Sequence, residues 1–162
     1  MKHLAKIAIP VFLVGFLAGC GFWFLYSPLL FDRVVNEELP AGLDLETIAS
    51  GRFRDADGAH RGSGQAIILG IRQGGVLLRL KEFEVTNGVS LEVWLVSAQD
   101  PAHADEVLAS ASQSLGLLHG NRGDQTYVVP SGIDMELFNS VVIWCAEFDI
   151  LHAVAPLSTI SG

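Results

Sequence analysis

The stretch Gly64–Arg72 (GQAIILGIR), Gln73-Gly74-Gly75 and Val76–Val85 (VLLRLKEFEV) decides the fold. Two runs rich in Ile, Val and Leu flank a glycine turn, the pattern of a β-hairpin. In the second run Leu78, Leu80 and Glu82 alternate against Leu77, Arg79, Lys81 and Phe83, so one face is expected to meet solvent. Toward the C-terminus, Thr86-Asn87-Gly88 reads as a turn and Leu91–Ser97 (LEVWLVS) as a strand with Leu91, Val93 and Leu95 on one face. Gln99–Ala111 holds Pro101 and an acidic, small-residue run, predicting a loop with a short helix from about His103 to Ala109. Strands are expected at Ser114–His119 and Gln125–Val129, around the turn Gly120–Asp124. Asp134–Asn139 reads as a turn, Val141–Leu151 (VVIWCAEFDIL) as one long strand, and Ala153–Leu157 as a last short one. About seven to eight short strands with glycine-rich turns predict an all-β antiparallel sandwich or barrel.

Toward the N-terminus the character changes. From Ile7 to Phe31 there are 25 residues without a charge, more than the roughly 20 that cross a bilayer as a helix. Lys2 and Lys6 precede this segment, and Asp32, Arg33, Glu37 and Glu38 follow it. The positive-inside rule predicts a single-pass anchor at the cell membrane, N-terminus cytoplasmic and domain extracytoplasmic. Trp23 and Tyr26 suit the outer interface, and Pro28 suits a helix exit. A second reading stays open. Leu17-Ala18-Gly19-Cys20 is a lipobox, and cleavage before Cys20 would leave a lipidated cysteine instead of a spanning helix. Against it, Gly21–Phe31 stays apolar where a lipoprotein tether is usually polar. The expected organisation is an anchor over 1–31, a connector over 32–47 and a β domain over 48–162.

Charge narrows the function. From Asp32 onward 8 Lys+Arg face 18 Asp+Glu, a net −10. Such a surface repels phosphate backbones, so no nucleic-acid partner is expected. The cysteines, Cys20 and Cys145, lie in different parts of the chain, leaving the domain one unpaired thiol. No CxxC, CxxCH or zinc-spaced Cys/His cluster occurs, which argues against dithiol redox, c-type haem attachment and a structural metal. No GxSxG and no phosphate-binding glycine loop occurs either.

Cys145 is the residue most suited to chemistry. Alternation puts Val141, Ile143, Cys145, Glu147 and Asp149 on one strand face, which turns from apolar to acidic just past the thiol. Such a thiol can ligate a metal or haem iron or be oxidised reversibly. It can equally be a small buried hydrophobe, and nearby carboxylates would blunt its reactivity. His60, in the polar loop Arg54–Gly64 (RDADGAHRGSG), can reach a cofactor. Nothing in the spacing selects among His60, His103, His119 and His152 as a partner for the thiol. Asp55-x-Asp57-Gly58 lacks the further ligands of a calcium loop and reads as a turn. Met135 is the remaining soft ligand.

Three segments then carry a resemblance: Leu115-Gly116-Leu117-Leu118-His119-Gly120, Gly123-Asp124-Gln125-Thr126-Tyr127-Val128-Val129-Pro130, and Val141–Phe148 (VVIWCAEF). Together they resemble the DM-thirteen domain family, in which LGxLKGxxGxQxYxxP precedes VxIWCxxF. Gly51-Arg52-Phe53, His60 with Gly62-Ser63-Gly64, and Asn87-Gly88 with Leu91 and Leu95 fit as well, so about residues 48–157 are covered. His119 stands where lysine is usual, and Val89 where proline often follows the Asn-Gly turn. The junction Ser27–Pro40 is similar to that of membrane-anchored bacterial members. The resemblance implies electron transfer, with the single cysteine acting as a bare thiol or as ligand to a group such as haem. Carried over, that role falls on Cys145 alone. It implies a redox or binding partner protein beside the membrane, and an electron-transfer or binding module rather than a stand-alone enzyme. Two other functions remain compatible with these residues: an adhesion module with a structural cysteine, and a haem or metal carrier.

Overall fold

A computed structural model describes residues 2–159, with side chains for 6–24 and 31–159. Helix α1 spans Lys2–Leu30. Its stretch Lys6–Phe24 is long and apolar enough to cross a membrane, and every side chain described there is exposed. Pro28 lies inside the last turn rather than past the end. A proline near a helix C-terminus removes one hydrogen bond without stopping the helix at once.

Ten strands follow among the described residues: β1 (Leu45–Arg52), β2 (Arg54–Asp55), β3 (Gly62–Ile71), β4 (Val76–Val85), β5 (Leu91–Val96), β6 (Ser112–Leu117), β7 (Arg122–Val129), β8 (Ser140–Cys145), β9 (Ile150–Pro156) and β10 (Ser158–Thr159). Eight have six or more residues; β2 and β10 have two each. They form two antiparallel five-stranded sheets, ordered β10-β1-β3-β4-β7 and β2-β9-β8-β5-β6. The fold is a β-sandwich with one N-terminal apolar helix.

The core between the sheets joins Ile68, Leu78, Leu80, Phe83 and Tyr127 on one side with Val93, Leu95, Val141, Ile143 and Cys145 on the other. A second cluster, Val96, Val107, Val142, Trp144, Leu151 and Val154, lies on the far face of the second sheet. Helix α2 (Ala104–Leu108) supplies Val107 and roofs that face. Strand β8 is therefore buried on both faces along its whole length, which is why VVIWC reads as an unbroken apolar run.

Three expectations are corrected. The run Val141–Leu151 is two strands: β8 ends at Cys145, residues 146–149 turn, and β9 begins at Ile150. Asp149 takes a left-handed φ of 52° there, a conformation Asp tolerates because its short side chain bonds locally. In β4 the register slips between Leu80 and Phe83. This bulge puts Phe83 into the core beside Leu80 and leaves Glu82 exposed at φ 50°. Strict alternation had assigned those two residues the opposite faces. Finally, Arg122–Asp124 belongs to β7 rather than to a turn.

The segment after α1 is not a free linker. Val34 bridges Arg122 in parallel, the Val35 amide donates to the Arg122 carbonyl at 2.9 Å, and the Glu37 amide donates to the Asp124 carbonyl at 2.8 Å. Residues 32–37 thus lie as a strap along the open edge of β7, covering unpaired backbone groups. A methyl group at Gly120 would strike the Arg33 carbonyl, and one at Gly123 the Val35 carbonyl. The strap can lie close because both positions lack a Cβ.

Candidate functional site

Strand pairing sets the position of Cys145. It is the last residue of β8, opposite Leu91 at the start of β5 and Ile150 at the start of β9. It is 2% exposed, and its Sγ–H donates to the Val89 carbonyl at 3.1 Å. Val89 lies in the loop 86–90 that joins the two sheets at this end. Ser90 in that loop has a φ of 49°, a strained conformation for a residue with a side chain. The thiol is therefore in reach of solvent only if this short loop moves.

The same loop covers a second group. His152 sits where the β8–β9 register slips between Ile143 and Trp144, and a bulge re-aims the side chain it carries. His152 is 4% exposed and its Nδ1 has no hydrogen-bond partner. A Cβ at Gly88 would stand 2.7 Å from its Cε1 and 2.8 Å from Leu91 Cδ2, so the loop packs directly on the ring. Burial, then the neighbouring His60, push the His152 pKa down to about 4, against smaller opposing effects of Asp57 and the Thr86 backbone. The ring is neutral at physiological pH.

His60 packs against His152 edge to face, with ring centroids 4.4 Å apart. It is held by Asp57: Nδ1 lies 2.8 Å from Asp57 Oδ2, while Asp57 Oδ1 accepts from the amides of Ala59 and His60. The expected turn at Asp55–Gly58 is this Asx arrangement. Those bonds, led by the one to the His60 side chain, hold the Asp57 carboxyl at about 2.

The other candidates go elsewhere. His119 stacks on Tyr127, and its Nδ1 lies 2.7 Å from Glu37 Oε1 of the strap. His103 is the N-cap of α2 without a side-chain cap bond. Met135 lines a small apolar pocket with Ile48, Ala49 and Phe138, away from the loop over Cys145. Among the described residues no three His, Cys, Asp or Glu side chains converge as a metal cage. Cys20 is exposed on α1.

Two clefts flank the loop. The larger, about 570 Å³, is lined by Phe31, Asp32, Arg33, Gly88, Ser90, Leu91, Leu117 and Asn121. The smaller, about 420 Å³, is lined by Asp55, Arg61, Glu84, Thr86 and Asn87 among others. Asn121 stands between them, its side-chain oxygen accepting from the Arg33 amide at 2.6 Å and its nitrogen donating to Asp32 Oδ1 at 2.8 Å. The tether thus enters at the same end of the sandwich as Cys145. Neither cleft is lined by Cys145. A haem bound through its sulfur does not fit this arrangement, since the sulfur faces a backbone carbonyl inside the core and neither cleft reaches it. The meeting of His60 with His152 follows the long-range pairing of β2 with β9, Arg54 opposite Val154, and no local signal marked His152 as the residue that meets His60.

This architecture defines a class: a β-sandwich with one buried strand-end thiol, carried behind an apolar helix. Residues 53–157 match the family Electron transfer DM13. The chain belongs to that family, and with it to a class of electron-transfer domains. No curated protein and no solved structure matches the chain.

Proposed function

We propose that this protein is a membrane-tethered, extracytoplasmic electron-transfer module working through Cys145 with a partner protein. The observation that carries the reading is the position of the domain's single thiol, at a strand end beneath a strained loop with a cleft on either side. Because the domain has one cysteine, it contains no resolving sulfur. The second sulfur or the electron acceptor therefore comes from the partner. The sulfur is buried and held by its hydrogen bond to Val89, so partner docking has to displace the loop before the sulfur reacts. The α1 helix serves as an uncleaved signal anchor with Lys2 and Lys6 inside, and the strap keeps the thiol end near the bilayer.

The test uses the full chain in detergent beside Cys145→Ser. Wild type is expected to be colourless and to form a mixed disulfide or deliver electrons to envelope partners only with the cysteine present. Serine can keep the Val89 bond, so the variant should fold. If Cys145→Ser matches wild type in every redox assay, the thiol is structural and an adhesion role replaces this reading. A cysteine-dependent Soret band would instead make the protein a haem carrier.

A further inference from the structure

Cys145 belongs to the core between the sheets, and Trp144 beside it points the other way, into the cluster on the far face of the second sheet. We propose that Trp144 and Trp94 form a relay that carries single electrons between Cys145 and a partner docked at Trp94. The relay deepens the electron-transfer reading of Cys145 and rests on it.

The indole rings of Trp94 and Trp144 lie 5.5 Å apart between centroids, tilted by 35°, within contact range for an aromatic pair. Trp144 is fully buried, whereas Trp94, on β5, is half-buried at the surface. Trp144 and Cys145 are consecutive in β8, so a covalent path completes the chain from sulfur to surface. Direct attack on the sulfur needs loop 86–90 displaced; an electron leaving through the rings does not.

The two indole N–H groups differ in the way that such a relay needs. Trp94 Nε1 donates to Glu92 Oε2 at 2.7 Å, and the same oxygen accepts from Ser114 Oγ at 2.7 Å. This positioned carboxylate can take the proton that an oxidised indole releases. Trp144 Nε1 has no hydrogen-bond partner, and such orphans are rare in a native core. Its radical cation therefore keeps its proton and remains a strong oxidant. A one-electron oxidant of the partner, a high-valent metal centre, takes an electron from Trp94, whose Nε1 proton passes to Glu92. Trp144 then reduces Trp94, which recovers that proton. Cys145 reduces Trp144 and becomes a thiyl radical. The S–H proton leaves past Val89, which is 37% exposed, and a proton needs only a passing opening of the loop. The net change is an electron from the thiol to the metal centre and a proton to water. The acidic surface favours a cationic partner.

The test photo-oxidises the full chain in detergent with a cationic ruthenium polypyridyl sensitiser and an irreversible electron-accepting quencher. A Cys20→Ser, Trp23→Phe background removes the exposed thiol and indole of helix α1. A neutral tryptophan radical is expected first, followed by a spin-trap adduct located on Cys145 by peptide mass analysis. Trp94→Phe, at the half-buried position, should still fold and lose most of that adduct, and Trp144→Phe should do the same. In Glu92→Gln the amide oxygen keeps the bond to Trp94 but takes no proton, so the first radical should show the cation spectrum. Cys145→Ser should prolong the tryptophan radical, because its electron donor is gone. Undiminished Cys145 adduct in both tryptophan variants, or an unchanged radical lifetime in Cys145→Ser, would overturn the relay. Either result leaves mixed-disulfide formation by Cys145, and with it the thiol reading, to stand or fall on its own assay.

Discussion

His152 is a buried base at a bulge, and its neutral form is a condition of the fold. Its folded pKa of about 4 lies below the ordinary 6.5. Between those values the unfolded chain binds a proton that the folded chain does not. Stability from this residue is therefore complete above pH 6.5 and lost as pH falls toward 4, by at most about 3 kcal/mol. Below that the folded ring protonates too and the slope ends. Chemical denaturation at pH 7 and pH 4.5 should show a marked loss in wild type and a smaller one in His152→Gln. Equal losses would mean that the ring is hydrated in solution. Asp57, held at about 2, adds a separate loss only below the ordinary carboxylate range. Cys145 behaves differently. Replacing Sγ–H by a hydroxyl that still donates to Val89 should cost no more than about 1–2 kcal/mol, measured as a small shift in denaturation midpoint, which keeps the serine variant usable in redox assays.

At the scale of elements, the strap along β7 is the feature that ties helix α1 to the domain. Its fastening is dense. The Thr126 amide donates to Glu37 Oε2 at 2.7 Å, and Arg79 Nη2 donates to the Glu37 carbonyl at 2.7 Å and to Asp124 Oδ2 at 2.8 Å. Arg79 is only 8% exposed, so its charge is satisfied by this pairing. Burial opposes ionisation of Asp124, but the Glu82 amide and Arg79 prevail and hold its carboxyl below the usual range. Gly123 has a φ of 97° beneath the strap. Gly123→Ala meets both the left-handed penalty of about 1–2 kcal/mol and the Val35 carbonyl. The expected result is rapid hydrogen exchange at the Val35 and Glu37 amides with the sandwich still folded. Retained protection there would show that the close approach is not what seats the strap.

On the scale of the whole molecule, three features meet at one end: the tether, the loop over Cys145, and the histidine pair. Exposed Phe31, Leu117 and Phe148 ring this end, and each belongs to a segment adjoining the tether, the larger cleft or the turn after Cys145. A strap that begins two residues after Leu30 leaves a gap of less than about 10 Å between helix and domain. In the proposed anchored arrangement, a redox partner would approach close to the bilayer. Intact mass of the membrane-extracted protein is expected to include residues 1–20 without lipid. A species starting at Cys20 and carrying acyl chains would replace the spanning helix with a lipid anchor.

The hairpin Gly64–Val85, the strand-and-turn rhythm beyond it and the uncharged segment Ile7–Phe31 were legible in the sequence alone, because periodicity and charge are local quantities. The motif around Trp144-Cys145 likewise carried the family. Chain folding in three dimensions decided the rest. The bulge at Glu82 reversed the faces that alternation assigned, since one extra residue moves every later side chain across the sheet. The turn inside VVIWCAEFDIL was hidden because both flanking strands are buried and equally apolar. His152 met His60, and the strap found β7, through contacts between residues more than 80 positions apart in each chain pairing around Glu37 and Asn121 and at a bulge no local pattern marks. Local sequence sets which segments become strands; which side chains share an end of the sandwich follows only from how the two sheets close on each other.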